Sequence, residues 1–205
     1  ISPTLTAAAK ERAAKEKIRN VDFTCADASS VQLGGAAYDR LFSRFGSMFF
    51  TDPIAAFSNL HSLLCKGARI DLAVWGPLRD NLWIAEIMSV IERHVDVPAA
   101  TPRAPGPFAF EDSEWLGEVL SESNFLEIKV EACEALLPVG GVGATPIEAV
   151  MFVLSSMTLG QLSEGVSATV RMQLEQDLND LFIRHYVTGQ GVMMTGKAWF
   201  VSAVA

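Results

Sequence analysis

The chain has 205 residues, half of them apolar and a fifth charged, which suits a globular domain with its own core and excludes a disordered chain. A formal net charge of −8 argues against holding nucleic acid by phosphate neutralisation. No apolar run is long enough to span a bilayer, and "ISPTLTAAAKERAAKEKIRN" lacks the basic-then-apolar order of a secretory signal.

Pro3 to Ile18 reads as a helix, with Ser2 as N-cap, Pro3 at the first helical position and alanines interleaved with Lys and Glu. "NVDFTCADA" predicts a short strand over Val21 to Cys25 that ends in a polar turn at Asp27. "YDRLFS" predicts a second strand, around Arg40 to Ser43. Asp52 caps a helix opened by Pro53, whose stripe Ile54, Phe57, Leu60, Leu64 follows the helical period, and Gly67 is expected to stop it.

"ARIDLAVWGP" has the nearly continuous apolar run of a strand covered on both faces, interrupted only by Asp71. Asn81 to Val95 predicts a helix with Trp83, Ile84, Ile87, Met88 and Ile91 on one side. The proline-rich "VPAATPRAPGPFAF" is a rigid, extended connection. A helix from Glu111 to Ser121, capped by Asp112, and a strand from Phe125 to Glu131 follow. "GGVGATP" is a loop, Ile147 to Leu159 an apolar helix, and Glu164 to Tyr186 an amphipathic one. "GVMMTGKAWFVSAVA" closes the chain as an antiparallel strand.

Helix–strand alternation up to Glu131 calls for an α/β fold with a doubly wound, mainly parallel sheet. Ligands of such sheets lie beyond the strand C-terminal ends. Three of those ends share one rim here: "CADAS", "SRFGSMFF" and "VWGP". Asp27 there either accepts a hydrogen bond from a ligand amine or caps its own turn. Arg44 either pairs a ligand carboxylate or is a solvated loop cation. His61, His94 and His185 show no ligand spacing, so no metal site is expected. Cys25, Cys65 and Cys133 read as buried free thiols of a cytoplasmic protein.

The run "NVDFTCADA … YDRLFSRFGSMFFTDPIAAFSNLHSLLCKGARIDLAVWGPLRDNLW … APGPFAF" resembles class I S-adenosylmethionine-dependent methyltransferases, in particular the ubiquinone/menaquinone-biosynthesis-like small-molecule branch. The resemblance implies a Rossmann-like sheet with an antiparallel last strand, S-adenosylmethionine as cofactor and a small, apolar or aromatic methyl acceptor. A monomer or homodimer is expected. By the same resemblance Asp27 and Ala28 contact the adenine ring, and Ser43, Arg44 and Phe45 border the sulfonium and methionine part. Met48, Phe49, Trp75, Pro77 and Trp83 line the acceptor side, or are ordinary core aromatics and apolar residues. Residues 1–146 and 191–205 form the core. The helices of residues 147–190 form an inserted lobe over the acceptor pocket, or buried scaffold.

The family's opening strand, glycine-rich loop and acidic residue have no counterpart in this sequence, which is therefore expected to be N-terminally incomplete, with activity belonging to the intact protein. "VGGVGATP" is no substitute, because it follows the wrong strand. Two rivals remain: a non-catalytic binding or scaffold protein on the same fold, and a nicotinamide-dependent oxidoreductase, which lacks its Tyr-x-x-x-Lys pair here.

Overall fold

The computed structural model describes residues 2–34, 37–156 and 166–205. The elements run α1 (Pro3–Lys15), β1 (Tyr38–Arg44), α2 (Pro53–Ser62), β2 (Leu64–Trp75), α3 (Leu82–Ile91), α4 (Ser113–Glu122), β3 (Leu126–Val139), α5 (Pro146–Ser156), α6 (Ala168–Arg184), β4 (Tyr186–Val187) and β5 (Gly191–Val204). The ends of the two last predicted helices, residues 157–159 and 164–165, lie outside the described residues.

The expected α/β sheet with its antiparallel last strand is present. The strand order is β1-β2-β5-β3, with β4 on β5. β1 and β2 are parallel, Arg44 standing opposite Ala73. β5 is antiparallel to both β2 and β3. Side-chain caps start the helices as the sequence indicates. Ser2 accepts from the Leu5 N–H, Asp52 from Ala55, and Asp112 from Glu114 and Trp115.

Two expectations need correction. Val21–Cys25 is in no strand; an extended segment becomes one only when a neighbour supplies ladder partners, and among the described residues β1 pairs with β2 alone. Gly67 does not end α2, whose C-cap is Leu63. It lies within β2 at φ 82°, where the β1–β2 register shifts, and its N–H donates to the Ala205 carbonyl.

The core has two parts. Phe57 of α2 and Leu116, Val119 and Leu120 of α4 pack with Ile70, Leu72, Val74, Val201 and Ala203 on one sheet face. The second part joins α3, α5 and α6 to the end of β3 and the start of β5, through Ile87, Val153, Leu178, Phe182, Val139 and Met194. Two histidines tie this lobe: His94 Nε2 lies 2.9 Å from Asp177, and His185 Nε2 lies 2.9 Å from Glu86.

Asp71, the polar interruption in β2, turns to the other face and takes hydrogen bonds from both Arg40 and Arg69. Burial pushes its carboxyl up, but the two guanidinium contacts outweigh that and hold it below its ordinary value of 3.8. A carboxyl depressed in the folded state adds stability above the unfolded value, and that stability is lost as pH falls through the folded one. Both arginines are more than half exposed, so the contribution is about 1 kcal/mol at most. Asp71→Asn should therefore lower the melting temperature slightly at pH 7 and leave it unchanged relative to wild type near pH 2. Parallel curves across that range would show that the cluster adds nothing.

Candidate functional site

β1 ends at Arg44, and the chain leaves it through Phe45 at φ 55° and Gly46 into a short 3-10 turn, Ser47–Phe49. Met48 pins that turn. Its side chain is buried in the first core, its sulfur accepts the Trp75 N–H, and its carbonyl accepts the Gly106 N–H. The Asp27 turn is brought to the same place by Asn59 of α2, whose Nδ2 donates to the carbonyls of Ala28 and Val31.

Between them lies a cavity of roughly 660 Å³. Asp27, Ala28, Ser43 and Gly46 face it, with Leu41, Ala55 and Leu60 as apolar wall and Phe49 at the exposed side. Asp27 does cap its own turn: Oδ1 accepts from the N–H and the hydroxyl of Ser29, contacts that lower its pKa. Those contacts use one carboxylate oxygen and leave Oδ2 available, so the capping and ligand-binding readings are compatible.

Ser47 also lines the cavity. It is 3% exposed, and its hydroxyl has no hydrogen-bond partner among the described residues. Leaving such a hydroxyl unpaired costs about 1–3 kcal/mol.

Residues 1–70 match the family model described as "Methyltransferase domain". No curated protein matches the sequence at a significant level. Among solved structures, a candidate methyltransferase of Bacillus halodurans superposes with a TM-score of 0.54 at 14% identity, over 100% of this chain and 80% of its own. The YcgJ protein of Bacillus subtilis gives 0.52 at 16%, over 99% and 79%. The fold is the Rossmann-like α/β fold of these structures. At such identities the likeness carries the architecture and leaves the substrate open.

Within this fold the remaining predicted residues do not share the cavity's wall. Arg44, Phe45 and Trp75 line a second depression of similar size, with Phe42, Ala73, Cys133 and Phe200 along it. Side chains alternate across a strand, so Ser43 and Arg44 part to opposite faces. Phe45 stacks on Trp75 at 4.2 Å between centroids, and Trp83 stands 4.9 Å beyond. Met48 is core, and Pro77 opens a turn beyond β2. Cys25 is exposed rather than buried, since the segment carrying it joins no strand.

Three residues carry the local geometry without having been singled out from the sequence: Asn59, Ser47 and Asn81. Asn81 is fully buried and donates to the carbonyls of Gly76 and Pro77 while accepting from Trp83 Nε1 and the Lys197 N–H. A lone Asn or Ser in a sequence gives no sign of the partners a fold will bring to it.

Proposed function

We propose that the protein transfers a methyl group from S-adenosylmethionine to a small, apolar or aromatic acceptor. The observation that carries this reading is the meeting of the Asp27 turn with Ser43 and Gly46 on one cavity beside the C-terminal half of β1. That is where α/β folds take their ligands, and the volume falls within the range of small-molecule pockets.

The residues there suit the adenosyl part of the cofactor. Asp27 Oδ2 would accept from an exocyclic amine, the Ala28 N–H would donate to a ring nitrogen, and Leu41 and Leu60 would cover an aromatic face. Bound S-adenosylmethionine supplies a methyl group already activated by its positive sulfur. The chain's part is to align the acceptor and exclude water. A thiol or anionic acceptor needs no base from the protein, and His94 is engaged with Asp177.

The lobe of α5 and α6 supports a role as lid. β5 runs from Ala198, opposite the last residue of β2, back to Gly191, so the lobe is anchored beyond the rim. Three free cysteines favour a reducing, cytoplasmic setting.

Calorimetry on the full-length gene product with S-adenosylmethionine and S-adenosylhomocysteine tests the reading. Both ligands should bind and raise the melting temperature, NAD should not, and Asp27→Ala should weaken them by about tenfold. Absence of binding by either adenosyl ligand overturns it. Binding without turnover of any acceptor would support the non-catalytic alternative.

A further inference from the structure

The geometry points to Asn59 as a positioning residue for ligand binding: its side chain holds the Asp27–Ala28 turn on α2, in the place where that turn meets the adenosyl ligand. This inference rests on the cofactor reading above and gives a role to a side chain that the sequence resemblance leaves without one.

The turn's own hydrogen bonds set its shape. Asp27 Oδ1 accepts from the N–H and the hydroxyl of Ser29, and the Asp27 carbonyl accepts from the N–H groups of Ser30 and Val31 at 3.2 and 2.9 Å. None of these contacts reaches another element, and the segment leading into the turn joins no strand. Asn59 supplies a link to the rest of the fold. Its Nδ2 donates to the Ala28 carbonyl at 3.1 Å and to the Val31 carbonyl at 3.2 Å, and its Oδ1 accepts from Gln32 Nε2 at 3.4 Å. The side chain stands on a fixed base, because α2 buries Ala56 and Phe57 completely.

The same helix presents Ala55 and Leu60 to the cavity that Asp27 and Ala28 line. Apolar wall and polar turn therefore share α2 as their support, and Asn59 fixes one against the other. A ligand that uses both needs the turn in place before it can bind well. A protein whose turn is in place for only part of the time binds more weakly by that fraction. Two hydrogen bonds of ordinary net strength are enough to keep the turn seated most of the time.

Asn59→Ala and Asn59→Asp in the full-length gene product test this, with S-adenosylhomocysteine affinity by calorimetry and melting of the free protein as readouts. Asp matches Asn in size and sets an acceptor where Nδ2 donates. Both variants should bind about tenfold more weakly. The amides of Ser30 and Val31 should exchange faster in the free protein. Melting should fall by only about 2–5 °C, because the turn belongs to neither core. Ser123→Ala is the control: that hydroxyl donates to the Ile54 carbonyl and ties α4 to α2 without touching the turn. It should lower the melting temperature at least as much and leave the affinity at the wild-type value.

Wild-type affinity in both Asn59 variants overturns the assignment and leaves the cofactor reading standing. An equal loss of affinity in Ser123→Ala also overturns it, because any loosening of α2 would then suffice. If the wild-type protein binds no S-adenosylhomocysteine, the cofactor reading fails and this assignment fails with it.

Discussion

Asn81→Asp should lower stability by about 3–5 kcal/mol at neutral pH, a large part of what holds a domain folded. The amide of Asn81 donates to the carbonyls of Gly76 and Pro77 at 3.2 and 2.9 Å, and its oxygen accepts from Trp83 Nε1 at 3.1 Å and the Lys197 N–H at 2.9 Å. The substitution changes almost no volume. It keeps both acceptor contacts and reverses the other two, setting a carboxylate against two carbonyl oxygens with no exposure to water.

Such a carboxyl has its pKa raised by burial and by the facing dipoles. The penalty is therefore full at high pH and shrinks as pH falls and the group protonates, since a protonated acid donates to one of the two carbonyls. Urea unfolding of wild type, Asn81→Asp and Asn81→Leu between pH 5 and pH 8 checks this. The Asp variant should recover relative to wild type toward pH 5, and the Leu variant should show a deficit independent of pH. A pH-independent Asp deficit would mean that charge is not the cause. Because Asn81 joins the end of β2 to α3 and β5, the Trp75–Trp83 contact at 4.9 Å should loosen in the same variants, visible in the near-ultraviolet circular dichroism.

Much of the scaffold was legible beforehand, because the elements concerned follow from local rules. The caps at Ser2, Asp52 and Asp112 and the prolines after the first two of them set where α1, α2 and α4 begin, whatever the rest of the chain does. β5 was legible as a strand, and its antiparallel direction came from the resemblance of "GKAWFVSAVA" to the family's last strand. Val21–Cys25 has the composition of a strand and is not one, since pairing depends on a neighbour and not on the segment itself. Asp71 could not be explained from sequence, because Arg40 reaches it from a strand 31 residues away.

The candidate site divides along the same line. Asp27, Ala28 and Ser43 line one cavity. Arg44, adjacent in sequence to Ser43, went to the opposite sheet face by simple alternation. Ser47 carried no mark in the sequence. Its hydroxyl has no partner among the described residues, which only the packed turn around Met48 reveals.

Gly191→Ala is the second large expected effect, about 2–4 kcal/mol, or a fall of about 5–15 °C in melting temperature. Gly191 begins β5 at φ 101°, a conformation that side chains with a Cβ rarely adopt. A Cβ there would lie 2.9 Å from the backbone nitrogens of both Gly143 and Ala144, atoms that cannot swing aside as a side-chain end would. The same loop is held to the strand by the Gly143 N–H donating to the Gln190 carbonyl at 2.8 Å, and it leads directly into α5. Pushing it away should therefore loosen the lobe before the sheet. Amide exchange in α5 should rise more than in β2. Gly189→Ala separates strain from collision, because Gly189 has a similar positive φ of 79° with nothing within 4 Å of its would-be Cβ. It should cost only the backbone strain, about 1 kcal/mol. Equal losses from the two substitutions would show that the 143–144 loop yields freely, and the lobe would then have no rigid anchor at the start of β5.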